Sequence, residues 1–145
     1  MTDYNKHSPR DAWASVMRGF RGRCPNCGKG RLFRAFLKVT DECPVCHEAF
    51  HHHRADDAPA YFVILIVGHL VVPLALAVEI EYALPYWLHA ALWVPLTLGL
   101  SLALLQPIKG AIVSLQWAFR MHGFNPMLAD SDTLAVPRAV PEPHR

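Results

Sequence analysis

The chain has 145 residues, of which 52% are hydrophobic and 18% charged, with a formal net charge of +2. Soluble domains carry roughly 25% charge, and the mean hydropathy here is positive, at +0.17. Residues 1–58 hold seventeen of the twenty-six formal charges, whereas residues 59–78 and 82–108 hold none. This distribution excludes a large soluble enzyme and a disordered chain, and so small a net charge gives no argument for nucleic acid. It predicts a small polar module joined to a membrane segment.

In chain order, the first predicted element runs from Asp11 to Phe20. Trp13, Val16, Met17 and Phe20 fall at i, i+3, i+4 and i+7, one apolar helix face, with Arg18, Arg21 and Arg23 close by. Such a helix suits an anionic membrane surface, and it equally suits the neighbouring module or a partner protein.

Next come Cys24-Pro-Asn-Cys27 and Cys43-Pro-Val-Cys46, two C-x2-C pairs separated by fifteen residues. That spacing matches a tetrahedral four-thiolate site. Each turn needs a residue that tolerates positive φ after its second cysteine; Gly28 suits the first, and His47, one of the side chains that visit this region, stands at the second. The expected metal is structural Zn2+, with iron the alternative for the same ligands. A redox C-x-x-C pair or two disulfides are the competing readings, but neither pair lies in a βαβ pattern and a cytoplasmic setting keeps thiols reduced. Gly30 to Val39 reads as strand, so 23–50 is expected to form a zinc ribbon that depends on its metal to fold.

His51, His52, His53, Asp56 and Asp57 follow, a set that suits a secondary metal or partner site. Read plainly, it is a solvated segment before the first span. Pro59 to Val78 gives twenty uncharged residues, enough to cross about 30 Å of hydrocarbon. Tyr82 to Ile108 gives a second run, after a short connection around Glu79, Glu81 and Pro85. Pro73, Pro95 and Pro107 fall inside the runs, and Tyr82, Tyr86 and Trp87 mark an outer aromatic belt. The N-terminal section carries ten Lys and Arg, the connection none and residues 109–145 four, so both termini are expected to be cytoplasmic.

Among intramembrane polar residues, His69 lies near the middle of the first run and Thr97 about level with it, while His89 lies near the outer end. A neutral His69 bonded to Thr97 or to a backbone carbonyl is the ordinary reading of such a residue. Gly68, Gly99 and Ser101 offer small surfaces for packing against another membrane protein. From Lys109 to Met121 the pattern stays helical, and the tail after Asn125 lacks periodicity and reads as disordered. The expected divisions are a tail and short helix (1–22), ribbon (23–50), juxtamembrane linker (51–58), hairpin (59–108), helix extension (109–122) and tail (123–145). The fold class is a membrane α-helical hairpin of two transmembrane helices with a small N-terminal cytoplasmic zinc ribbon.

The segments CPNCGKGRLFRAFLKV, CPVCHEAF, HHHRADDAPAY and QPIKGAIVSLQWAFRM together resemble the bacterial membrane proteins that carry domain of unknown function 983, from about Arg18 to Met121. The chain departs from many relatives at His47, where they carry a second glycine. The resemblance implies a multi-pass inner-membrane protein with a zinc ribbon and two spans. It also implies an association with respiratory-complex biogenesis, cytochrome c oxidase in particular.

No nucleophile–base pair, phosphate-binding glycine loop or open metal position is legible, so a non-enzyme is expected, with no small-molecule substrate. The expected partners are membrane lipid and another inner-membrane protein complex. A metal-handling accessory using the His cluster is the alternative. A nucleic-acid module built on Arg18, Arg21, Arg23, Lys29, Arg31, Arg34 and Lys38 ranks lower, because positive-inside topology already accounts for these charges.

Overall fold

The computed structural model describes residues 10–50, 57–121 and 124. Its elements are α1 (Ala12–Phe20), α2 (Ala58–Tyr82) and α3 (Tyr86–Ala118). The expectations for His51, His52, His53, Asp56 and, apart from Phe124, the tail lie outside the described residues.

α2 is a helix of 25 residues with Pro59 in its first turn, about 37 Å long. α3 has 33 residues, about 50 Å, and so exceeds the hydrocarbon thickness by several turns. Both are apolar enough to cross a membrane. Their mutual contact is a narrow stripe, in which Val63, Val67 and Val71 of α2 meet Ile108 with Trp93, Leu100 and Leu104 of α3. Ile64, Leu70, Leu98 and many other apolar side chains point outward, a surface suited to lipid rather than water.

The connection is shorter than the sequence implies. Glu79 and Glu81 remain within α2, and Ala83, at φ 44°, ends the helix by taking the left-handed conformation and donating its N–H to Glu79 O. Glu79 then accepts from His89 Nε2 at 2.7 Å, while Trp93 Nε1 donates to His89 Nδ1 at 3.0 Å. This chain of bonds ties the two helices together beside their connection.

α1 begins with Asp11 as its cap, the side chain accepting from the Ala14 N–H at 3.1 Å. Arg10 stacks over Trp117 and donates to its carbonyl, whereas Gly19 meets Gly110 and Ser114. α1 therefore runs antiparallel to the α3 extension. The contact face is Ser15 and Gly19, both buried; the apolar stripe points the other way, with Trp13 73% and Phe20 45% exposed. Small residues win this face because they let two backbones approach closely. A Cβ on Gly19 would lie 1.9 Å from Ser114 Oγ, and one on Gly110 would lie 2.0 Å from Gly19 O.

Between α1 and α2, residues 23–50 form no strand. Only isolated antiparallel bridges occur, Arg23 with Arg31, Phe33 with Val39 and Glu42 with Ala49. The strand expected over Gly30–Val39 fails because the chain reverses within it: Arg34 N bonds to Lys38 O, which closes a loop before a ladder can extend. Leu32, Phe33, Val39 and Phe50 nevertheless form a core with Cys24 and Cys43, and Val113 and Trp117 of α3 belong to that same core.

Candidate metal centre

Each Cys-Pro-x-Cys segment folds as a tight turn. Gly28 N bonds to Cys24 O at 2.9 Å and His47 N to Cys43 O at 3.0 Å. The residue after each second cysteine then takes positive φ, 69° at Gly28 and 56° at His47. The departure at His47 thus leaves the turn intact, since histidine tolerates this region better than β-branched residues do.

These turns bring all four sulfurs within 4.8 Å of one another. Cys24 Sγ lies 3.7 Å from Cys46 Sγ, and Cys27 Sγ lies 3.8 Å from Cys43 Sγ. Sulfurs placed tetrahedrally at 2.3 Å from a metal are about 3.8 Å apart, whereas a disulfide needs about 2.05 Å. The cysteines are free thiols, and the donor set fits one metal ion in a closed four-thiolate shell. Gly30 makes room for it: a Cβ there would stand 2.3 Å from Cys43 Sγ.

The thiols differ in environment. Desolvation pushes the buried Cys24 thiol up, although the N–H groups of Cys27 and Asn26 oppose it. Desolvation likewise raises Cys46. Around Cys27 burial also opposes ionisation, but the N–H groups of Gly30 and Lys29, with the thiols of Cys46 and Cys24, bring it down to about 6. A bound cation would favour the thiolate at every position.

Glu48 connects this site to the membrane helix. Its Oε1 accepts from Trp117 Nε1 at 2.8 Å and its Oε2 from Asn26 Nδ2 at 3.0 Å. Its backbone carbonyl accepts from Cys43 N at 2.9 Å. Arg10 Nη2 stands 3.9 Å from Oε1. One residue therefore joins both cysteine turns to α3, its side chain reaching Asn26 and Trp117 and its backbone carbonyl Cys43.

The other sequence candidates are dispersed. Asp57 precedes α2, where its carbonyl accepts from the Ala60 N–H and its side chain makes no capping bond. His69 lies on the face of α2 away from α3 and bonds through Nδ1 to Leu65 O at 2.8 Å, so it does not pair with Thr97. Thr97 lines a shallow groove with Trp93, Val94, Leu98 and Ser101. Gly68 and Gly99 have open space where a Cβ would stand. Sequence reasoning missed Gly30, Glu48 and the Ser15–Gly19 and Gly110–Ser114 pairs. The two small pairs carry an i, i+4 signal; Gly30 and Glu48 carry none beyond their nearness to the cysteines.

A family model described as "Protein of unknown function (DUF983)" matches residues 33–117, more than half of the chain. The match takes in Cys43, Cys46 and both long helices, and begins after the first cysteine turn. No curated protein and no solved structure matches the chain.

Proposed function

The chain belongs to the DUF983 family of proteins of unknown function, and on that premise we propose that it is a non-catalytic inner-membrane adaptor. In this reading a zinc-filled cysteine site stiffens a cytoplasmic recognition surface and holds it beside a partner membrane complex. The observation that carries it is the shared core: Cys24, Cys43 and Phe50 pack in one cluster with Val113 and Trp117 of α3. A ribbon fused in this way to the helix that leaves the membrane presents its surface at a set height and orientation.

Zinc suits the role because its four-thiolate sites keep a tetrahedral geometry without redox change. A complete shell also leaves no coordination position for substrate, which supports a structural rather than a catalytic metal. The ten Lys and Arg residues before the first span and the two glutamates at the outer turn support cytoplasmic termini. The partner proposed is a respiratory complex such as cytochrome c oxidase; the support is the family resemblance, not a contact in the fold.

The test uses the full chain. Extracted from native membranes in mild detergent, it is expected to retain oxidase subunits, read by haem absorbance and mass spectrometry. Cells lacking the protein should assemble less oxidase on native gels. Normal assembly with no retained subunit overturns the respiratory reading. A second metal that disappears when His51, His52 and His53 become Ala would favour a metal carrier instead.

A further inference from the structure

His69 presents two hydrogen-bond acceptors to the bilayer core. Leu65 O can only accept, so the bond at 2.8 Å places the proton on Nδ1 and leaves Nε2 of the neutral ring with a free lone pair. The backbone carbonyl of His69 would take its helical bond from residue 73, which is Pro73 and has no N–H. Both acceptors belong to a residue exposed on the outside of the hairpin, two positions past Val67 and so about 200° round the helix from the α3 contact. Hydrocarbon supplies no donor, so such groups are satisfied by another helix.

Suitable donors occur at the same depth. Glu79 and His89 meet across the hairpin; ten residues inward on each helix stand His69 and Gly99. Thr97 and Ser101 straddle that level by about one half-turn each. With Trp93, Val94 and Leu98 they line an open groove of about 410 Å³ on α3. Positive-inside insertion gives every copy the same orientation, so the hydroxyls of a second copy face the His69 of the first at matching depth. Two His69 rings cannot serve each other, since both present acceptors.

We propose that the His69–Pro73 face of α2 docks into the Thr97–Ser101 groove of a second copy, giving a two-fold dimer in which each α2 packs on its partner's α3. This is an isologous contact: residue i meets j and j meets i, so the pairing occurs twice and closes. The open backbone at Gly68 lets the helices approach closely. The proposal rests on the membrane placement of the hairpin given under the proposed function.

Energy transfer between differently tagged full chains, diluted with lipid in vesicles, measures the association. Metal content and resistance to a carbonate wash are measured first on each variant, so a misfolded chain or one that leaves the membrane is recognised separately from a weak dimer. Wild type is expected to dimerise. His69→Leu, and Thr97→Val combined with Ser101→Ala, should each weaken the dimer about tenfold, because each removes both copies of the hydrogen bond. All three changes together should lose little more than either set alone, since both remove the same contact. A wild type that stays monomeric at every dilution, or losses that multiply on combination, overturns the pairing.

Discussion

A methyl group at position 30 would stand 2.3 Å from the Cys43 sulfur, whereas one at position 28 meets only the flexible Arg18 side chain at 3.3 Å. Gly30→Ala is therefore expected to displace the second cysteine turn and lower metal content well below one ion per chain. Gly28→Ala, strained only through its positive φ, should keep the metal and lose about 1 kcal/mol of stability. Elemental analysis of both variants checks this. The thiols provide a second prediction. While the cysteine turns persist without metal, Cys27, at about 6, is mostly ionised at pH 7, and Cys24 and Cys46 are held above their ordinary value. Because Cys27 is depressed from 9.0, its ionisation favours the folded metal-free site fully above pH 9; that contribution is lost as pH falls through about 6. A brief alkylation pulse at pH 7 as the metal is withdrawn, before the ribbon unfolds, should mark Cys27 ahead of Cys24, as read by peptide mass spectrometry. Equal rates would contradict the environments described.

At the scale of elements, the α1–α3 contact depends on the absence of side chains. Ser15, Gly19, Gly110 and Ser114 are all buried there, and Ser114 Oγ has no hydrogen-bond partner among the described residues. An unsatisfied buried hydroxyl costs about 1–3 kcal/mol, and this one fills the space where a Cβ on Gly19 would stand. Ser114→Ala should raise the thermal midpoint in detergent; a fall would mean that the hydroxyl makes a bond the geometry does not reveal. Gly19→Leu should undock α1 and expose the amides of Ala12–Phe20 to exchange, a loss of about 1–3 kcal/mol if the overpacked interface partly survives. Hydrogen exchange resolves the two cases, because only undocking removes protection across the whole helix. The exposed stripe of Trp13 and Phe20 follows from the same contact, since the face that meets α3 is the one that admits the closest approach.

For the whole molecule, the cysteine module and the extension of α3 share one core. Trp117 lies in the ribbon core and donates to Glu48, and Arg10 stacks on its ring. Metal removal should therefore unfold more than residues 23–50, because the binding free energy of such a site is largely folding free energy. The amides of residues 110–118 are expected to lose protection on chelation while those of residues 63–105, inside the membrane helices, keep theirs. Unchanged exchange at 110–118 would show that the extension stands without the ribbon.

The two long helices, their prolines and the cysteine turns were legible in the chain because the forces that create them are local or belong to the solvent. Twenty apolar residues must satisfy their own backbone in lipid, and a C-x2-C turn must aim two sulfurs at one ion and swing the next residue to positive φ. Even His47 could be read as a tolerable substitute for glycine there. The face α1 would use was not legible, since its apolar residues marked one side while Gly19 and Gly110 decided for the other. The strand expected from Gly30 to Val39 dissolved because its alternation carries no information about where Arg34 and Lys38 close the chain. Glu48, an ordinary charged residue in the sequence, became a hub only once Trp117, sixty-nine positions away, was packed beside it. Local chemistry determined the spans and the cysteine turns; close approach and long-range pairing, which exist only in the folded chain, decided how the cysteine module is fastened to the long helix.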